Sequence, residues 1–479
     1  MPSFIFMLSS SWALHLAEGH VIWLAAAFLP FYFLAFLKGQ DTKRWLIAAA
    51  FFESLMFYEG GTYVFAFSLL FVGVYAVCHA LETKSWRPIL TFLAVNILAA
   101  ALSAPKLLPV LEVITSHPRP TDAGSAMSWD DYINIFIARD SELGSGWWES
   151  GSYFGIVVVV IYLCSLSLVK KHLSHVAAST FLLLVSVGNF GKFSPWNMLH
   201  HLPFFSGLQV PTRSLIVFGF SVALLVGLFL GKLEDSPDRR IMFFVGLVVL
   251  IIGIDLFSLS YRIIPEALKP VGVSPLAWLF KKPPVAPVFP KLYRVSPAGT
   301  TGLFHSIESV HQPFSQIRVP DLQRFAHGAW SDQYLPLLQN RGVVDAYEPI
   351  PFERYARAVS DMDYRGEFHM LGKGNTTLLN WSPNRFVYHV KLQEKDRLVI
   401  NQNHWPGWHA SLGRLTRHDG LLAVDLPPGE YDVTVRYLPR SFLIGVGIFL
   451  AALVCIVAAL FVSYRSHLTR PKNARASSP

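Results

Sequence analysis

The sequence predicts a polytopic α-helical membrane protein of about nine spans, or about ten with an N-terminal half-helix, and an extracytoplasmic domain ending in a small β-sandwich. Three observations predict it. First, of 479 residues 52% are hydrophobic and 15% are charged, against about 25% charged in an average soluble domain. Mean hydropathy is correspondingly high, at +0.40. Second, the charges fall between long uncharged runs of about 18–22 residues, the length that crosses a hydrocarbon core about 30 Å thick. Third, the pattern near the C-terminus changes to short alternating runs separated by Gly and Pro.

Segments 21–37, 45–59, 63–81, 89–111, 153–169, 175–190, 214–231, 241–258 and 442–463 read as spans. The second is short and carries Glu53. The short connections on one side hold 14 basic residues, among them Lys38, Lys84, Arg87, Lys170 and Arg239. Those on the other side hold four: Arg119, Arg139, Lys192 and Arg213. The richer side is expected to be cytoplasmic. Loops 112–152 and 191–213 and the domain are therefore expected outside, on the periplasmic or extracytoplasmic side. Segment 2–17 is apolar but too short to cross alone, so the chain reads as beginning within a helix hairpin. The N-terminus lacks the basic region and small-residue site of a cleavable signal peptide.

The chain divides into a transmembrane region at 1–258, a linker and α/β region at 259–383, a β-sandwich at 384–440, a last span at 441–464 and a basic tail at 465–479. Lys281-Lys282-Pro283-Pro284 through Pro290 reads as an extended linker. Arg385–Val390, Leu398–Ile400 and Tyr431–Tyr437 read as strands, with turns at Arg417–Gly420 and Pro427–Gly429. The net charge of +8 is explained by topology-setting loops, and no nucleic-acid-binding motif accompanies it. Cys78, Cys164 and Cys455 all lie in apolar runs, so the domain has neither a disulfide framework nor a cysteine-based zinc site. No Ser/His/Asp elbow, phosphate loop or dinucleotide fingerprint is present.

The run Trp405-Pro406-Gly407-Trp408-His409-Ala410, then Gly413, Leu426-Pro427-Pro428-Gly429-Glu430, Tyr437-Leu438-Pro439 and Gly445, resembles the C-terminal region of the YfhO family of bacterial membrane proteins. Upstream, Glu18-Gly19-His20, Leu107-Leu108-Pro109-Val110-Leu111-Glu112, Pro118-Arg119, Val210-Pro211-Thr212-Arg213 and Ala346-Tyr347-Glu348-Pro349 extend the likeness over most of the chain. The resemblance implies a location in a bacterial inner membrane and kinship with GT-C-type membrane glycosyltransferases, whose donors are polyprenyl-phosphate-linked sugars. It further implies a catalytic acid in the first external loop, upstream of Glu18, where only about 17 residues without Asp or Glu stand here. The chain is thus expected to lack that loop or to begin after it.

Such chemistry calls for an external carboxylate, basic groups for a lipid phosphate and a divalent metal as a candidate cofactor. The carboxylate candidates are Glu18, Asp130 and Asp131. Asp130 and Asp131 also suit the first turn of a short helix capped by Ser128. His20, Lys106, Arg119, Arg139 and Arg213 are the phosphate candidates, and Trp147 and Trp148 the sugar-stacking pair. Lys106 equally suits snorkelling, and the two tryptophans an interfacial belt. Glu53, Glu59 and Asp255 read as polar packing between helices. Trp405, Trp408 and Tyr437 read as domain core or as a sugar platform. His200-His201 has no Cys or carboxylate spaced to complete a metal site. The expected partners are membrane lipid and a polyprenyl-phosphate-linked sugar. A non-catalytic carrier of that lipid, and a scaffold whose domain binds an enzyme, are the rival readings.

Overall fold

The computed structural model describes residues 2–17, 21–118, 121–139, 150–202, 204–234, 238–268, 355–357, 363–382 and 384–468. The first helix is broken. α1 (Pro2–Leu8) and α2 (Ser10–Ala17) meet at Ser9. The hydroxyl-bearing run at the break covers the interrupted backbone. Tyr153 N donates to Ser10 Oγ (2.7 Å), Ser10 N donates to Tyr153 O (3.4 Å), and Ser11 Oγ lies 2.9 Å from Ser152 Oγ.

A 3₁₀ segment, Val21–Phe28, leads into α3 (Leu29–Gly39). α4 (Lys43–Glu59), α5 (Thr62–Thr83) and α6 (Arg87–Ser116) follow. α7 (Trp129–Ile137) is short and has its apolar residues on one face. Ser128 caps it by accepting from Asp131 N at 3.2 Å. α8 (Gly155–Ser165), α9 (Leu173–Ser186), α10 (Pro195–His200), α11 (Leu215–Glu234) and α12 (Arg239–Leu268) complete the bundle, and α13 (Arg440–Leu468) returns after the β domain.

Among the described residues, six helices are long and apolar enough to cross a membrane: 22–39, 62–83, 87–116, 211–234, 239–263 and 440–462. The expected count of nine is therefore not reproduced. The segments expected at 45–59, 153–169 and 175–190 are helical but fall short of 18 residues, and the first is reproduced in full by α4. α4 stops after 17 residues, at Gly60 with φ 91°. α8 tightens into a 3₁₀ turn at Leu166–Lys170, and α9 is 14 residues long. Three of the connections rich in Lys and Arg adjoin one another at one end of the bundle: Arg87 pairs with Asp41 at 3.4 Å, and Glu82, beside Lys84, accepts from Ser174 N, which follows Lys170-Lys171. The opposite end, here called the domain end, meets the β domain where the His117 and Trp405 rings lie 5.0 Å apart.

At the domain end, α12 is tied to its neighbours through Asp255. Tyr153 Oη donates to this carboxylate at 2.9 and 3.0 Å. The Arg139 guanidinium pairs with it and also donates to Ser258 Oγ at 2.6 Å. Arg262 donates to the Arg139 carbonyl. Gly155 adopts φ +78°, and a Cβ there would overlap the Asp255 carboxylate.

The β domain begins at Phe368, upstream of the boundary expected at 384, because β1 (Phe368–Met370) and β2 (Asn375–Ser382) pair into its sheets. The remaining strands are β3 (Arg385–Leu392), β4 (Asp396–Asn403), β5 (Trp408–Ala410), β6 (Arg414–His418), β7 (Leu421–Leu426) and β8 (Gly429–Tyr437). They form two four-stranded antiparallel sheets, ordered β1-β4-β7-β6 and β2-β3-β8-β5. Alternating residues such as Tyr388, Val390, Leu398, Val424 and Val433 fill the core between them. Asp419-Gly420, both at positive φ, close the β6–β7 hairpin. The Pro-rich linker and Ala346–Pro349 lie outside the described residues.

On the outer face of β3, His389 Nδ1 lies 2.8 Å from Asp432 Oδ1, and its Nε2 lies 3.4 Å from Glu430 Oε1. Hydrogen bonding to Asp432, reinforced by Glu430, raises the imidazole above its ordinary pKa. Asp425, hydrogen-bonded to Arg397, is held below the usual carboxylate range.

Two predictions follow from these contacts. Gly155→Ala should destabilise the detergent-solubilised protein by about 2 kcal/mol, the scale of a forced steric or polar disruption, read as a lowered thermal midpoint. The His389 contribution is complete below its unfolded value of about 6.5 and is lost as pH rises through the raised folded value. The Asp425 contribution is complete above its unfolded value of about 3.9 and is lost as pH falls through the lowered one. Rate-corrected amide exchange along β3–β8 in the full chain should therefore be slower at pH 6 than at pH 8.5, and His389→Gln should abolish the difference.

Candidate functional site

At the domain end, four side chains from separate elements form a ladder of rings and charge. His15, at the end of α2, stacks on Trp23 with centroids 4.0 Å apart and planes 11° from parallel. Trp23, on the 3₁₀ segment, stacks in turn on Tyr63 at 6.2 Å and 22°. The Arg213 guanidinium lies 4.5 Å from the centre of the Tyr63 ring. Tyr63 is held in place by Gln209, whose backbone N donates to its hydroxyl at 3.0 Å.

The ladder grades from buried to accessible: His15 is 3% and Trp23 1% exposed, while Tyr63 and Arg213 are half-buried. Trp23 Nε1 is buried and meets no acceptor among the described residues. Stacking on a tyrosine fixes the plane of the Arg213 guanidinium, a group whose planar fork suits phosphate. Next to it, Thr212 Oγ1 lies 3.0 Å from Ser150 Oγ.

The same first turns of α5 open onto an apolar groove. It occupies about 630 Å³ between α5 and α6, with Phe204 and Phe205 at its domain end. Every lining side chain is apolar or a thiol, and no polar surface faces it. On α5 it runs from Phe65 to Cys78, which at about 1.5 Å per residue is about 20 Å, or two-thirds of a hydrocarbon core. Such a groove accepts a hydrocarbon chain and offers nothing to a polar ligand.

The structure places the sequence-derived candidates as follows. Arg213 stands in the ladder. Lys106 does not reach it: Nζ donates to Phe57 O (3.0 Å) and Tyr58 O (2.9 Å) and so caps α4, where a cation suits the carbonyl end of a helix. Asp131 accepts from Ser128 Oγ at 2.7 Å in the first turn of α7, beside the exposed Asp130. Arg139 is joined to Asp255. Glu18, His20, Arg119, Trp147 and Trp148 lie outside the described residues.

Glu53 is 1% exposed and faces the fully buried Tyr32 of α3, and among the described residues Glu53 Oε2 and the Tyr32 hydroxyl lack a well-formed hydrogen bond. His200 Nε2 lies 3.0 Å from Leu208 O. Among the described residues no three His, Cys, Asp or Glu side chains are grouped to hold a metal. Sequence reasoning missed His15, Trp23 and Tyr63, since each is an aromatic ring inside an apolar run. Only their juxtaposition with Arg213 makes them a site.

The fold and this site define a multi-pass membrane protein with a two-sheet β domain, a basic-aromatic cluster at the domain end and a lateral apolar groove. Comparison with protein-family models, curated proteins and solved structures finds no match.

The capping contact separates two roles for Lys106. Lys106→Met should cost about 1 kcal/mol of stability, the scale of a cation at a helix C-terminus, and leave lipid affinity within about twofold of wild type. A thermal midpoint and a lipid titration on the same preparation check both halves.

Proposed function

We propose that the protein binds a polyprenyl-phosphate-linked sugar and transfers its glycosyl group to an envelope acceptor at the extracytoplasmic face of the membrane. The observation that carries this reading is the pairing of an all-apolar groove along α5, about 20 Å long, with a half-buried arginine stacked on Tyr63 in the first turn of the same helix. A ligand that satisfies both is an amphiphile with a long hydrocarbon chain and a phosphate. The likeness of Val210-Pro211-Thr212-Arg213 and of the Trp405–Trp408 run to the YfhO family supports the same ligand class.

In this reading the chain lies between α5 and α6 and the phosphate meets Arg213. The acceptor hydroxyl attacks the anomeric carbon, and the bond from that carbon to the phosphate oxygen breaks. The departing electron pair stays on the lipid phosphate, where Arg213 stabilises the growing charge. The hydroxyl proton passes to a carboxylate acting as general base, the role assigned to Glu18, with His20 as a further phosphate contact. A carrier that moves the lipid without reaction rests on the same groove, whose side opening suits a ligand arriving from the bilayer.

Cys78 lines the groove, whereas Cys164 and Cys455 are exposed elsewhere. A membrane-permeant maleimide should therefore label Cys78 more slowly when polyprenyl phosphate is added, with Cys164 and Cys455 unaffected. Arg213→Gln should weaken lipid binding at least about tenfold, the loss of one charge-assisted contact. Glu18→Gln should abolish transfer while leaving lipid binding intact. Full transfer by Glu18→Gln removes its role as base, and lipid binding without transfer by the wild type favours the carrier.

A further inference from the structure

The Trp405-Pro406-Gly407-Trp408 turn splits its two indoles between different surroundings. Trp408 is 8% exposed and stacks on Phe386 at 5.1 Å, inside the domain core. Trp405 is half-buried and turns towards the membrane bundle, where its ring lies 5.0 Å from that of His117 at the end of α6. Gly407 makes this placement possible. Its φ is +109°, and a Cβ there would lie 3.0 Å from Pro439 Cα and from Tyr437 Cε2. Gly407 O also accepts from Leu438 N at 2.7 Å, which ties the turn to the end of β8.

Tyr437 and Glu112 complete the cluster. Burial raises the Tyr437 phenol pKa first, the nearby Glu112 carboxylate raises it further, and a hydrogen bond with Trp405 opposes both. Glu112, His117, Trp405 and Tyr437 are each half-buried, so the junction is neither dry core nor open surface. Three elements thus converge here: the end of α6, the β4–β5 turn and the end of β8.

The position relative to the groove gives this cluster its meaning. Leu111 and Ile114 of α6 line the groove at its domain end. Glu112 adjoins Leu111, and His117 follows Ile114 by one helical turn, about 4.5 Å of rise. A chain lying in the groove would bring its headgroup to this height. An indole with a phenol offers a flat apolar face with polar edges. A carboxylate accepts hydroxyl protons, and an imidazole donates or accepts. That combination matches a pyranose, whose C–H face is apolar and whose hydroxyls are paired donors and acceptors.

We propose that Glu112, His117, Trp405 and Tyr437 form a sugar-binding subsite, taking the glycosyl headgroup of a lipid whose chain lies in the α5–α6 groove. The inference rests on the lipid reading above and adds the site that distinguishes a glycosylated lipid from a bare one. Trp405 and Tyr437 act as the platform and Glu112 as the hydroxyl acceptor, while Trp408 belongs to the core.

The test compares two probes on the full chain in nanodiscs: a polyprenyl phosphate and the same lipid bearing one hexose. Wild type should bind the hexose-bearing lipid about tenfold more tightly. Trp405→Ala should erase that preference and leave affinity for the bare lipid unchanged, and Trp405→Phe should restore part of it. Glu112→Gln, which alters α6 and leaves the domain sequence intact, should reduce the preference at least about threefold. Equal binding of the two lipids by wild type overturns the subsite and leaves the groove reading standing. A parallel loss of both lipids in Trp405→Ala, or full preference in both variants, also overturns it. Failure of wild type to bind either lipid removes both readings.

Discussion

Hydrocarbon supplies no hydrogen-bond partners, so each interruption of a helix inside a bilayer must be covered by the protein itself. Much of this bundle is arranged around that constraint. The break between α1 and α2 is covered by the Ser152–Tyr153 segment. The end of α4 is covered by Lys106 from the neighbouring α6. At the Lys- and Arg-rich end, the start of α9 is likewise covered by Glu82 of α5, whose carboxylate accepts from Ser174 N at 3.0 Å and also lies 3.0 Å from His79 Nδ1. Each of these contacts joins separate elements of the bundle, so the cover for a helix end is also what fixes the positions of its neighbours.

α6 links this scaffold to the ligand-bearing features. One of its faces lines the groove, Lys106 caps α4, and Ala104 and Pro105 accept the close approach of α13 at Gly445. Its last turn meets the Trp405 turn. The β domain is therefore held to the bundle both through the chain at Arg440 and through an aromatic contact above the groove. Tyr63, in the first turn of α5, carries Arg213 over its ring. In the proposed function these two clusters handle the phosphate and the sugar of one amphiphile.

The legible and illegible parts of the sequence differ for physical reasons. Strand alternation is strictly local, so β3, β4 and β8 are readable from residues 385–437. β1 and β2 are not, because their runs, Phe368–Met370 and Asn375–Ser382, are short or polar and are defined by partners elsewhere in the chain. Apolar runs identify membrane helices, yet their lengths overstate the regular α-helix where a 3₁₀ turn takes over, as at Leu166. The capping role of Ser128 and Asp131 is a pattern of four neighbouring residues and is visible in the sequence. The role of Lys106 is not, because its acceptors are 48 and 49 residues away. Arg213 stands out as a basic residue on the poorer side, but the rings that orient it come from positions 15, 23 and 63.

The central claim is that the α5–α6 groove holds the chain of a phosphate-bearing polyprenyl lipid. Native mass spectrometry of the protein extracted from its own membranes tests this most directly. The account predicts a retained polyprenyl-phosphate-class adduct that disappears when Val110→Trp fills the groove. Retention of ordinary glycerophospholipid alone, unchanged by Val110→Trp, would contradict it.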